Sequence, residues 1–252
     1  TFIHVMGWIS KYSKSELLVQ FAYFSANPNK ITMILIAVAT SIGGVGIPLL
    51  TENYVKGDFR SAARLVQDNL SMLIFFILPA TIGAVLVAEP LYTVFYGKPD
   101  GLALGLFIFA MLQTIILSLY TVLAPMIQAL FQNRKAIIYF LYGVGVKLVL
   151  QVPLIYFFKA YGPLLATTVG LIIPILLMYQ EIRKVTGLNP KNLFKRSLLS
   201  VILTVLMTIF VLIAELLIGL FLHPSGRVSS FIYIALIGGI GLAVYGGLAL
   251  KV

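Results

Sequence analysis

Unbroken runs of apolar residues, separated by short polar segments, dominate this chain. Seven runs, at 31–50, 70–88, 102–126, 137–158, 161–179, 198–222 and 231–250, approach or exceed the roughly 20 residues a helix needs to cross a bilayer. They are continuous rather than alternating, which predicts helices and not the strands of a membrane barrel. An apolar stub from Phe2 to Ile9 is too short to cross and is expected to be the end of a truncated helix. The predicted fold class is an all-α polytopic membrane protein, a helical bundle of seven transmembrane helices plus a truncated eighth.

The polar segments carry their own patterns. In 51–69, Phe59, Ala63, Val66 and Leu70 recur at helical spacing while Arg60, Arg64 and Asp68 fall elsewhere. This predicts an amphipathic helix at the membrane surface. Gly57-Asp58 breaks the preceding structure, and Asp58 is placed to cap the next helix. In 10–30, Leu17, Leu18, Phe21 and Phe24 suggest an amphipathic connector that ends at Asn27-Pro28. Gly187 and Asn189-Pro190 predict a break in 180–197. The expected organisation is 1–30, truncated helix and connector; 31–179, five spans; 180–197, a cytoplasmic linker; 198–252, two accessory spans.

Composition strengthens the membrane reading. The 252 residues are 60% hydrophobic and 10% charged, with mean hydropathy +1.04. Soluble domains run near 45–50% and 25%, so a soluble enzyme is excluded. The absence of cysteine from the sequence removes thiol catalysis, cysteine-ligated zinc and iron–sulfur clusters. The net charge of +10 would suggest nucleic acid in a soluble protein; here it is assigned to loops, and no nucleic-acid partner is expected. One set of alternate loops holds Lys56, Arg60, Arg64, Arg134, Lys135, Arg183, Lys184, Lys191, Lys195, Arg196 and Lys251. The opposite set holds Lys11, Lys14, Lys30, Lys98, Lys159 and Arg227. The richer side is predicted to be cytoplasmic, and the C-terminus with it.

Few residues inside the spans carry chemistry. Lys147 lies about 15 Å into its run at 1.5 Å per residue, near the midplane. A lysine there costs at least roughly 2.5 kcal/mol on insertion scales and faces protein or water rather than lipid. It is a candidate site for an anionic group, with Gln151 one turn on; the alternative is a structural lysine paired with helix carbonyls. Glu215 is the carboxylate deep in a span and a candidate ion-coupling group. Lys30, beside Asn27 and Asn29, is a candidate phosphate contact or an interfacial anchor. Thr40 and Ser41 lie mid-span as candidate polar lining. Pro48, Pro79, Pro125, Pro153 and Pro174 interrupt the first five spans, as in helices that bend around a cavity. Gly239, Ala243 and Gly247 recur every fourth residue, a close-packing stripe. There is no HExxH, GxSxG or Walker A motif, and no metal, cofactor or enzymatic activity is expected.

Three stretches together resemble a known family. They are Val38-Ala-Thr-Ser41 through Pro48 with Gly57-Asp58; Ala88-Glu-Pro-Leu-Tyr-Thr-Val-Phe-Tyr-Gly97; and Lys147-Leu-Val-Leu-Gln-Val-Pro-Leu-Ile155 with Tyr161-Gly-Pro-Leu-Leu-Ala-Thr-Thr-Val-Gly170. In order and spacing they are similar to the C-terminal half of a polysaccharide-type flippase of the MATE-like (MOP) superfamily, in its MurJ/YtgP lipid II flippase branch. The resemblance implies fourteen helices in two lobes around a cavity that opens alternately to each side. It places 1–9 at the end of the seventh helix and 31 at the start of the eighth. It makes 198–250 the two helices that distinguish the branch and help form a groove for a lipid tail. It implies a bacterial plasma-membrane protein that moves a lipid-linked pyrophosphate oligosaccharide, works as a monomer, and needs an upstream lobe supplying much of the basic substrate site. Lys30 corresponds to a basic residue near the start of the eighth helix, and Lys147 to a basic position in many relatives. The residues by themselves leave open a cation-coupled multidrug exporter of the MATE type, with Glu215 as its carboxylate, and a non-transporting membrane scaffold.

Overall fold

A computed structural model describes residues 2–9, 13–219 and 226–250. Lys11, His223, Lys251 and the expected end of the sixth run at Leu222 lie outside the described residues. The described chain folds into helices with no strand among them: α1 (Phe2–Ile9), α2 (Lys14–Val45), α3 (Ile47–Val55), α4 (Phe59–Leu86), α5 (Ala88–Tyr96), α6 (Gly101–Ala129), α7 (Asn133–Phe158), α8 (Gly162–Thr186), α9 (Pro190–Gly219) and α10 (Arg227–Ala249). Among the described residues, six helical stretches are long and apolar enough to cross a membrane. One of them, the 54-residue stretch Asn133–Thr186, folds back on itself as α7 and α8 around a short 3-10 turn, Lys159–Tyr161. The chain is a multi-pass membrane protein. Its outward side chains agree: Leu216, Phe157 and Leu242 are each more than 70% exposed, an arrangement suited to lipid rather than water.

Several boundaries depart from the sequence expectations. Asn27-Pro28 ends no helix. α2 runs unbroken from its capping box, in which Glu16 N–H donates to Ser13 Oγ and Ser13 N–H to Glu16 Oε2 (3.3 and 2.7 Å), through Pro28 to Val45. The helix survives because Asn27 is tied to another element: its side-chain amide donates to the Tyr92 hydroxyl (2.8 Å), and its carbonyl accepts from Tyr96 O–H (2.7 Å). Run 31–50 is instead divided at Gly46, so Pro48 sits in the first turn of α3, where its missing N–H breaks no helical bond. The surface helix expected in 51–69 is not separate, since α4 begins at Phe59 and continues into the membrane. Asp58 does cap it, with Oδ1 accepting from Ser61 N–H at 3.0 Å. That bond holds the Asp58 carboxyl below the usual range. The linker expected at 180–197 shrinks to the three residues between α8 and α9, with Gly187 left-handed at φ +70°.

Two sub-bundles share α4. Ala39, Leu73, Ile77, Val122, Met126 and Ile182 form a core joining α2, α4, α6 and α8. On its other side α4 meets α9, and with α5 and α10 they close around Val87, Met207, Val211, Tyr233, Ile237 and Tyr245. The stripe of α10 that meets α9 contains Gly241, where a Cβ would stand 3.3 Å from Val211; Gly239 and Gly247 have nothing within 4 Å. The small-residue stripe read from the sequence is therefore one face away from the real contact.

Candidate functional site

The α7–α8 hairpin is the most extensive helix pairing among the described residues, and glycine makes it possible. A Cβ on Gly143 would stand 2.3 Å from the Gly170 carbonyl oxygen and 2.9 Å from Pro174 Cδ; one on Gly170 would stand 2.8 Å from Lys147 Cβ. With both positions bare, the helices approach at backbone distance, and Lys147 crosses α8 where no side chain opposes its stem. Gly162 does the same at the turn, where a Cβ would fall 2.5 Å from Ile155 N.

Lys147 emerges into a cavity of about 280 Å³ between this hairpin and the first half of α2, lined by Phe24, Ser25, Asn29, Lys147, Gln151, Pro163, Leu164 and Thr167. The α8 wall is held by polar cross-ties. Gln113 on α6 donates to the Leu164 carbonyl (2.8 Å) and to Thr168 Oγ1 (2.9 Å), while Thr167 returns its hydroxyl to the Pro163 carbonyl one turn back in α8 itself (2.8 Å). On the α2 wall, Pro28 has no N–H to give, so the Phe24 carbonyl lacks its helical partner. The cavity thus gathers one ammonium, two amides and two hydroxyls, with no carboxylate among the lining residues. Lys147 makes no salt bridge with any described residue. An ammonium with three donors and no counter-charge suits an anion with several acceptor oxygens. Among the described residues no cluster of three His, Cys, Asp or Glu could hold a metal.

The candidate residues divide into separate places. Lys147 and Gln151 share the cavity, as their spacing of one turn implied. Lys30 does not join them. Successive helical residues point about 100° apart, and Lys30 lies over the Tyr96 ring, 5.4 Å from its centroid, while its neighbour Asn29 lines the cavity. Burial pushes the Tyr96 and Tyr92 phenols up, so both remain protonated beside α2 at neutral pH. Thr40 and Ser41 are exposed on α2, each giving its hydroxyl to the Ala37 carbonyl at 2.9 Å. Lys30, Ala37 and Ser41 follow one exposed face of α2. Glu215 is half-buried on α9, within electrostatic reach of Tyr233 and remote from the helices that form the cavity. Ser25, Asn29 and Thr167 were not singled out from the sequence; the available signal was the run Asn27-Pro-Asn29-Lys30, whose polar members sit inside an otherwise apolar helix.

The sequence matches the family model of the lipid II flippase MurJ over residues 20–236. The lipid II flippase MurJ of Bacillus subtilis (strain 168) is 32% identical over 220 residues, which cover 86% of this chain and 40% of that protein. The solved structure of a lipid II flippase MurJ in its inward closed conformation has the same fold, with a TM-score of 0.70 at 17% identity, over 96% of this chain and 48% of that one. The chain spans less than half the length of these relatives.

Proposed function

Since this chain belongs to the MurJ lipid II flippase family, we propose that it is the C-terminal half of a flippase that carries a lipid-linked cell-wall precursor, lipid II, across the bacterial cell membrane. The observation that carries this reading beyond family membership is the polar cavity around Lys147: a single uncompensated cation, with Gln151, Asn29 and Thr167, in a wall otherwise built for lipid. A pyrophosphate brings negative charge and several acceptor oxygens to such a site, and a low-dielectric surround strengthens the attraction. Lys30, Thr40 and Ser41 lie on the exposed face of α2, which we assign to the path between the two halves. The polyprenyl tail stays in the bilayer beside α9 and α10 as the halves rock between inward- and outward-open arrangements. The protein works as a single copy with its upstream half, and the end where α4 and α9 begin faces the cytoplasm.

The test is Lys147→Ala in the full-length protein, with Lys147→Arg as its partner. The alanine variant is expected to reach the membrane at normal level yet lose lipid II translocation, and the arginine variant to retain part of it. Normal translocation by Lys147→Ala removes the cavity from the mechanism. A cysteine at Gln151, in a background without other cysteines, is expected to react with a water-soluble thiol reagent and to be protected by substrate.

A further inference from the structure

The first half of α2 is engaged on two opposite sides. At about 100° per residue, Tyr23, Asn27 and Lys30 share an arc of roughly 60°, while Ser25 and Asn29 lie within roughly 40° of each other, roughly 150° around the helix. Ser25 and Asn29 line the Lys147 cavity. The other side is bonded away from it. Tyr23 O–H donates to Asp100 Oδ2 (3.2 Å), and the second oxygen of that carboxylate caps α6 by accepting from Ala103 N–H (2.6 Å). Asn27 meets both phenols of α5: its amide donates to the Tyr92 hydroxyl (2.8 Å), and its carbonyl accepts from Tyr96 O–H (2.7 Å).

The two partners in this contact are unequally held. On α5, Tyr92 is buried with its ring edge-on to Phe107 of α6 at 5.4 Å. Ala88 is buried in the same cluster, and Leu91 packs into the one formed with α9 and α10. On α2, Pro28 removes the helical bond that would cross this turn. The neighbouring holds on α2 are apolar, Phe24 against Phe2 at 4.9 Å and Ile31 in the cluster of Tyr92 and Phe107. Apolar contact is non-directional and tolerates a twist of the helix, whereas a hydrogen bond weakens steeply as its angle opens. A twist of about 30° carries a Cα of α2 by about 1.2 Å, a displacement that matters to groups aligned on a substrate.

We infer that Tyr92 and Tyr96 are positioning residues for the Lys147 cavity. Acting through Asn27, the two phenols fix the rotation of α2 at its proline and so turn Ser25 and Asn29 toward Lys147 and Gln151. The tyrosines stand on the side of α2 away from the cavity, so their influence on a bound anion passes through the helix. Its effect on transport rests on the reading of the cavity as the substrate site; the rotation of α2 does not.

The experiment uses the full-length protein in a background without other cysteines and measures two cysteine pairs with a short bifunctional thiol reagent. The pair at Asn29 and Gln151 joins α2 to α7 across the cavity. The pair at Gln151 and Thr167 joins α7 to α8 and reports the hairpin alone. Tyr92→Phe with Tyr96→Phe keeps both rings and removes both hydroxyls. It is expected to slow cross-linking of the first pair several-fold and to leave the second unchanged. Asn27→Leu cuts the Tyr92 tie from the other side and should act in the same direction. First-pair cross-linking that stays intact in either variant, or falls no further than the second pair, overturns the inference. In transport, the double phenylalanine variant should raise the KM for lipid II about fivefold, the worth of one hydrogen bond, with kcat within about twofold on the same scale. In a background of Ser25→Ala with Asn29→Ala, the same two substitutions should raise KM no further, because the groups they position are gone. Additive losses there would mean that the tyrosines act on stability alone, and overturn the inference. Slowed first-pair cross-linking with an unaltered KM in both backgrounds supports the role in α2 rotation and removes the cavity from substrate binding.

Discussion

Gly170 and Lys147 are in contact through an atom the glycine does not have: its missing Cβ would stand 2.8 Å from the lysine Cβ. The lysine owes its position to that vacancy. A mid-membrane cation needs either water or protein acceptors around it, and this one gets to the cavity only because α8 is bare where the stem passes.

Gly170→Ala should therefore push α7 and α8 apart. The neighbours are Lys147 Cβ and, at 2.9 Å, the Gly143 carbonyl oxygen, and neither is the free end of a flexible chain. Overpacking of this kind costs about 1–3 kcal/mol, and translocation should fall with it because Lys147 is displaced. Gly145→Ala is the control, since a Cβ there has nothing within 4 Å. It should leave stability unchanged or raise it by roughly 0.5–1 kcal/mol, the gain of alanine over glycine in a helix. Thermal unfolding of the two purified variants, beside a translocation assay, checks the pair.

The end of the same hairpin where α7 starts holds a second test. Lys135 Nζ lies 2.5 Å from Glu181 Oε1, and Tyr139 O–H donates to Oε2 at 3.2 Å. The carboxylate is 9% exposed, the ammonium 47%. Removing the lysine strands a nearly buried charge, whereas removing the carboxylate leaves an ammonium that reaches water. Lys135→Ala should lower the melting temperature more than Glu181→Gln does. Equal losses from the two would mean that the pair contributes through packing alone.

How much of this was readable in advance depends on whether the cause was local. The apolar runs announce their helices because length and hydropathy suffice for a membrane span, and Asp58 announces its cap because the acceptor lies three residues from the donor. Lys147 and Gln151 share a cavity because one helical turn separates them. The continuity of α2 through Pro28 was hidden, since its support comes from Tyr92 and Tyr96, 65 and 69 residues from Asn27. The cavity's other wall was hidden for the same reason. Ser25 and Asn29 face Lys147 only once α2 has packed against the hairpin, and no periodicity within α2 says which side that will be. Lys30 shows the converse limit: it neighbours Asn29 in sequence and faces Tyr96 in space.

The Asn27 tie gives a third prediction. Tyr96→Phe keeps the ring beneath Lys30 and deletes the hydroxyl that serves the Asn27 carbonyl. The loss should be about 0.5–1.5 kcal/mol, one intramolecular hydrogen bond. Tyr96→Leu removes the ring as well and should cost roughly 0.5–1 kcal/mol more, the worth of a surface cation–π contact. Denaturation of the two variants separates the contributions; identical losses would show that Lys30 gains nothing from the ring.

Glu215 supplies the fourth. A carboxylate inside a membrane helix invites a role in ion coupling, and a coupled site must feel the state of the substrate site. α9 packs on α4 and α10, while the Lys147 cavity is formed by α2, α7 and α8. The ionisable group acting on Tyr233 of α10 is Glu215 itself, so the carboxylate belongs to the α9–α10 pair rather than to the cavity. Coupling energies between distant sites require a shared element with two arrangements, and the helix that α9 shares with the transport core is α4. Glu215→Gln keeps the shape and the hydrogen-bonding capacity of the side chain and removes its charge. Translocation by that variant should remain within about twofold of the unsubstituted protein, a difference worth less than about 0.5 kcal/mol in transition-state terms. Its dependence on pH and on membrane potential should also be unchanged. A variant that still binds lipid II but no longer responds to an imposed proton or sodium gradient would reassign Glu215 as the coupling group, and would place the moving element in α4, between the accessory pair and the cavity.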